Sequence, residues 1–87
     1  MTGPEVRHDE AAHRFVAVVE GREAVLDYAV VDAKTVDFQH TYTPVELRGR
    51  GIAAAVVGRA LAWARAEGKT VIPSCWYVRD YLAKERE

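Results

Sequence analysis

Eighty-seven residues, 49% of them hydrophobic, supply one small core and place the chain near the lower limit of what folds without staples. Twelve Lys and Arg against thirteen Asp and Glu leave a formal net charge of −1, which excludes a global basic field for nucleic acid or membrane surfaces. Nine of the twelve cations are arginine, so local anion sites remain open, and the single cysteine, Cys75, excludes an internal disulfide and fits a reducing compartment.

The opening "MTGPEVRHDEAAHR" has no apolar run of the kind a signal peptide needs. No stretch approaches the ~20 apolar residues of a membrane span. The expectation is a cytoplasmic protein of one domain over residues 1–87, with residues 1–12 poorly ordered and His8 and His13 solvated. Valine-rich alternation then predicts strands over Arg14 to Val19 and Glu23 to Val31, with Glu20-Gly21-Arg22 as the turn. A second turn near Asp32-Ala33 leads to a third strand, Lys34 to Thr43. Connections this short imply an antiparallel meander.

Pro44 stops the third strand because it has no N–H for a ladder. From Gly51 to Glu67 the period changes to that of a helix. Ile52, Ala53, Val56, Val57, Ala60, Leu61, Trp63 and Ala64 cover one half of the wheel, and Arg59 and Arg65 the other. The alanines let this helix come close to a sheet, and Gly68 is a natural stop. "KTVIPSC" reads as a short buried strand, Lys69 to Ile72, reached by a right-handed crossover and therefore parallel to a neighbour. After Pro73, "CWYVRDYLAKERE" reads as a final helix from about Trp76. The expected fold is α+β, in the order β-β-β-α-β-α.

The segment "PVELRGRGIAAAVV" places Gly49 and Gly51 between arginines at a helix start. Unpaired amides, the helix dipole and close backbone approach there favour a phosphate guest, with Arg48 and Arg50 adding charge. A nucleotide P-loop is excluded, since Ile52 and Ala53 stand where Lys and Ser or Thr are needed. Gly49 to Ala54 matches the dinucleotide pattern G-x-G-x-x-A. That fold needs its motif after the first strand and an acidic residue about twenty positions on, and Val71 to Cys75 has no carboxylate.

Arg48-x-x-Gly51-x-Ala53 resembles the pyrophosphate loop, R/Q-x-x-G-x-G/A, of the GCN5-related N-acetyltransferases. "HTYTPVELRGRGIA" and "KTVIPSCWYVRDYL" are similar to the two hallmark segments of the small YjdJ-type members. The resemblance covers Arg14 to Leu82. It implies a truncated acetyltransferase fold, with a three-stranded antiparallel meander, a helix crossover to a parallel strand and a C-terminal helix. It also implies acetyl-CoA or coenzyme A as ligand, held by Leu47, Arg48, Gly49, Arg50, Gly51, Ile52, Ala53 and Ala54, and no metal. The chain departs from the pattern at Tyr42-Thr43 and at Trp76, where an acidic residue with valine and a proline are common.

Amine acetylation needs a proton acceptor for the amine and a donor for the leaving thiolate. Cys75, at a strand-to-helix junction, is placed to serve as acyl relay or base; it equally suits an ordinary buried core position. Histidine is the residue type suited to proton transfer at neutral pH, and the resemblance points to His40; the alternative is a strand histidine on the side of Val36, Phe38 and Tyr42. Tyr77 and Tyr81 share a helix face, and larger relatives use a tyrosine there as the thiolate's proton donor; Tyr81 is the first candidate. Glu46 is a solvated loop carboxylate that ranks last as a base. Arg59 and Arg65 can reach a 3′-phosphate, and Thr41 and Ser74 can bond pantetheine. The resemblance implies acetyl transfer to an amine of a small molecule or a protein, a lysine side chain included. The alternative is a non-catalytic acyl-CoA-binding module that recruits a partner on its open face. Monomer and homodimer both remain open, with no nucleic-acid or membrane partner.

Overall fold

The computed structural model describes residues 4–85. Five strands form one sheet in the order of the chain: β1 (Val6–Asp9), β2 (Arg14–Val19), β3 (Arg22–Asp32), β4 (Thr35–Tyr42) and β5 (Thr70–Ile72). The first four are antiparallel, and β5 runs parallel to β4. Helix α1 (Ile52–Ala66) makes the crossover between them, and α2 (Trp76–Glu85) follows β5. The mixed α+β architecture and its crossover are those the sequence implies.

Alternation in β2, β3 and β4 puts Phe15, Ala17, Ala24, Leu26, Tyr28, Val36 and Phe38 on one face, all buried. Ile52, Val56, Val57, Ala60, Leu61 and Ala64 of α1 cover them. Each large aliphatic or aromatic side chain so buried contributes roughly 1.5–3 kcal/mol. The small Ala60 and Ala64 bring the helix close to the strands. Beside α1, a Cβ at Gly58 would stand 2.9 Å from the Tyr81 hydroxyl oxygen, so the missing side chain lets α2 dock there.

Three features depart from the sequence reading. The front half carries a fourth strand: Val6–Asp9 pairs with β2 in the segment read as poorly ordered. Its cause is packing across the sheet. The His8 ring stacks on Phe15 at 4.0 Å, and its Nε2 lies 2.7 Å from the Tyr28 hydroxyl. His8 is therefore half-buried rather than solvated, while His13 is exposed.

The second departure is a bulge in β4. Tyr28 pairs with Phe38 and Asp27 with His40, which leaves Gln39 as an extra residue. The extra residue reverses the alternation beyond it. Thr41, opposite buried Leu26, continues the face of Val36 and Phe38, and His40 is exposed opposite Asp27. Third, β5 is a short edge strand rather than a buried one, with Ile72 40% exposed.

Candidate active site

The chain leaves β4 through buried Pro44 and a single tight helical turn, Val45–Leu47. Leu47 is 0% exposed and anchors the turn in the core. Its amide donates to the Pro44 carbonyl at 2.9 Å, and the Arg48 Nε donates to the Thr43 carbonyl at 2.9 Å. Arg48 is thereby pinned back against the strand end.

Gly49 and Gly51 have φ of 79° and 77°, the left-handed region that a side chain strains. A Cβ added to either would meet nothing within 4 Å, so the glycines face open space and not a packed neighbour. Gly51 caps α1 without a side-chain hydrogen bond. The Ala55 amide is the one that reaches back to the Gly51 carbonyl, at 3.1 Å. The amides ahead of it belong to the open end of the helix, where a diphosphate finds donors and a favourable dipole. These features fit the diphosphate of coenzyme A.

The open space is part of a cavity of about 550 Å³. Leu47, Arg48, Gly49, Gly51, Ile52 and Ala53 line one side of it; Thr41, Tyr42 and Thr43 of the β4 end and Trp76 and Tyr77 of α2 line the rest. Two residues of the loop reading stand apart. Arg50 turns away to pair with Glu20 at 2.9 Å, and Ala54 is not on the cavity wall.

Cys75 is 8% exposed and lies behind that wall. Its amide donates to the Phe38 carbonyl at 3.0 Å, tying the start of α2 to the middle of β4. Its Sγ is 3.5 Å from the Thr41 hydroxyl. Burial pushes the thiol up, but hydrogen bonds from the Thr41 hydroxyl and the amides of Val78, Tyr77 and Thr41 outweigh it, so the thiol titrates below its ordinary value. Thr41 touches both the cavity and this sulfur.

The remaining candidates separate. Tyr77 lines the cavity, and burial, partly opposed by Lys84, raises its hydroxyl above the ordinary tyrosine value. Tyr81, one turn later, sits against Gly58 and does not reach the cavity. His40 is exposed and is not on the cavity wall. Glu46 lies 3.4 Å from Arg22, and Arg65 pairs with Glu85 at 2.7 Å. Arg59 sits over the Phe15 ring at 5.8 Å. The Ser74 carbonyl accepts from Arg79 at 3.0 Å. The sequence reading put Tyr81 before Tyr77, although the position of Tyr77 in the first turn after Cys75 was a signal in its favour. Among the described residues no group of three or more His, Cys, Asp or Glu is placed to hold a metal ion, and no helix is long and apolar enough to cross a membrane.

The sequence profile of the GCN5-related N-acetyl-transferase family matches residues 14–87. Protein NATD1 of Xenopus tropicalis is 38% identical over 79 residues, which cover 88% of this chain and 72% of that protein. Protein NATD1 of Homo sapiens is 37% identical over 79 residues, with 88% and 70% covered. The NMR solution structure of a GCN5-like protein from Staphylococcus aureus superposes with a TM-score of 0.72 at 25% identity, over 98% of this chain and 83% of that one. A loop of this geometry, on this sheet and within this matched sequence, means that the chain belongs to the GCN5-related N-acetyltransferase family, whose members use acetyl-CoA.

Proposed function

We propose that the protein is an acetyl-CoA-dependent N-acetyltransferase whose acceptor is a primary amine on a flexible side chain, the lysine of another protein. The observation that carries this reading is the single cavity joining the diphosphate loop to Thr41 and Tyr77, with the Cys75 thiol behind. When bound, acetyl-CoA supplies a thioester-activated acetyl group. Arg48 and the amides of the Gly49–Ala53 segment hold its diphosphate. The amine nitrogen bonds to the carbonyl carbon and the carbon–sulfur bond breaks. The proton lost by the amine passes through the Thr41 hydroxyl to the thiolate form of Cys75. Tyr77 donates a proton to the departing thiolate. Burial of Cys75 supports direct transfer over an acyl relay, because its Sγ is behind the wall and not on it.

A lysine acceptor is supported by the short front of the fold. Strands β1 and β2 are joined by Glu10–His13 alone, and β2 and β3 by Glu20-Gly21. No helix stands in either connection to wall off a small metabolite, whereas a flexible side chain needs few walls.

Calorimetric titration of acetyl-CoA into the unmutated protein and Gly51→Glu tests the site. Binding by the first and at least a hundredfold weaker binding by the second is expected, because a carboxylate at that position repels the diphosphate. Mass spectrometry of a lysine peptide incubated with acetyl-CoA then reads turnover, with Cys75→Ala expected to lower kcat while leaving the acetyl-CoA Kd unchanged. Absence of binding to the folded unmutated protein overturns the reading. Binding without transfer to any protein or peptide lysine leaves a coenzyme A-binding module instead.

A further inference from the structure

We propose that Trp76 is a positioning residue for the acceptor, its indole carrying the side chain of the incoming lysine. The inference rests on the lysine acetyltransferase reading and names the surface that acceptor meets. That reading puts the thioester at Thr41 and Tyr77, where the amine must arrive from solvent. Trp76 opens α2 beside Tyr77, with their ring centroids 5.8 Å apart and planes at 72°. Its indole is 68% exposed, more than any other large hydrophobic side chain among the described residues. Two residues on, Val78 is 0% exposed, so the helix has a buried face that the indole does not join. It stands on the cavity wall instead. An indole left in water forgoes one of the largest apolar gains a side chain can make, and an acceptor laid across it recovers that gain.

The wall around the indole suits a lysine in two ways. Tyr42, 48% exposed, also lines the cavity, beside Thr41 in the chain. Aromatic faces accept the four-carbon stem of a lysine and attract its ammonium. The chain makes this contact elsewhere with its own residues: the Lys69 Nζ stands 5.7 Å from the Trp63 ring centroid. Among the described residues, moreover, no carboxylate lines the cavity. A carboxylate there would hold the amine in its charged, unreactive form, whereas an aromatic face collects the cation with a much weaker grip on its proton. Arg48, on the loop part of the wall, favours the diphosphate and repels an ammonium, which leaves the aromatic part to the amine. The positions where the sequence departs from the pattern it resembles, Tyr42-Thr43 and Trp76, all fall on this wall.

Two measurements test the assignment in the full chain. Steady-state acetylation of a peptide with a single lysine among glycines and alanines compares the unmutated protein, Trp76→Ala and Trp76→Phe. Trp76→Ala is expected to raise the peptide KM roughly fivefold to tenfold with kcat within about twofold, and Trp76→Phe to restore most of the loss. Calorimetry is expected to give all three proteins the same acetyl-CoA Kd, which also shows that the variants are folded. A peptide KM unchanged by Trp76→Ala, or a loss that falls on kcat or on the acetyl-CoA Kd instead, overturns the proposal and leaves the acetyltransferase reading standing. Binding of acetyl-CoA by the unmutated protein without transfer to this or any other lysine overturns that reading and this inference together.

Discussion

At Gly51 the backbone turns at φ 77° to start a helix whose first residues line a cavity, and Tyr77, whose hydroxyl pKa burial raises, lines the same cavity. Between them Thr41 bridges the cavity to the sulfur of Cys75. Each residue owes its place to one local cause: a missing Cβ, a first helical turn, a strand position moved by a bulge. Tyr77 and Tyr81 offer the sharpest contrast, since both lie on one helix and only one reaches the cavity. Tyr77→Phe is expected to lower kcat by about 10²–10⁴ with an unchanged acetyl-CoA Kd, the range of a lost general acid. Tyr81→Phe is expected to change kcat less than threefold. Steady-state acetylation kinetics on both variants decide it, and the reverse order would reassign the proton donor.

Among the elements, β1 is expected to hold the sheet in a pH-dependent way, through His8. Its His8 packs between Phe15 and the edge of Trp63, whose ring centroid is 4.7 Å away, and bonds the Tyr28 hydroxyl. Burial lowers the His8 pKa; Arg59 and His13 act in the same direction, and Glu10 and Asp9 oppose them. A histidine depressed in the folded state favours the neutral ring. Its contribution is complete above the unfolded value of about 6.5 and is lost as pH falls through the lower folded value. Urea unfolding of the unmutated chain is thus expected to weaken between pH 7.5 and pH 5, with His8→Gln flattening part of that slope. A slope identical in both proteins would remove His8 as the cause. The bulge in β4 acts on the site at the same scale. One extra residue turns His40 outward and Thr41 inward, so a single backbone irregularity decides which polar side chain meets Cys75.

Over the whole molecule the site depends on a core that is small but continuous. Phe15, Leu26, Phe38, Leu47, Val56, Val57 and Val78 are all nearly inaccessible, and they link three strands, the loop anchor and both helices. Phe38 ties this set together: it is fully buried in the cluster, its carbonyl holds the Cys75 amide, and it pairs with Tyr28. Phe38→Ala is expected to cost about 3–5 kcal/mol, a large share of the ~5–15 kcal/mol available to a typical domain. Chemical denaturation monitored by circular dichroism measures it. A loss below about 1 kcal/mol would show that the sheet and α2 are held together elsewhere. Acetyl-CoA at saturating concentration is expected to recover part of the loss, since a ligand that binds only the folded state stabilises it.

The sequence by itself determined what depends on neighbours in the chain. Valine alternation in β2 and β3, the helical period from Ile52, and the glycine-arginine turn ahead of it are short-range patterns, and each appears where it was read. The glycine-arginine loop was legible for the same reason, because its glycine conformations and helix start are local events. Tertiary structure alone decided the rest. Strand β1 has too short an alternation to announce itself and exists because His8 packs on Phe15 and bonds to Tyr28, on two other strands. The outward turn of Arg50 needed Glu20, thirty positions away. The meeting of Thr41 and Cys75 needed a bulge on one element and a crossover to another. Period and propensity carry no information about such contacts, which form only when segments distant in sequence pack against the same core.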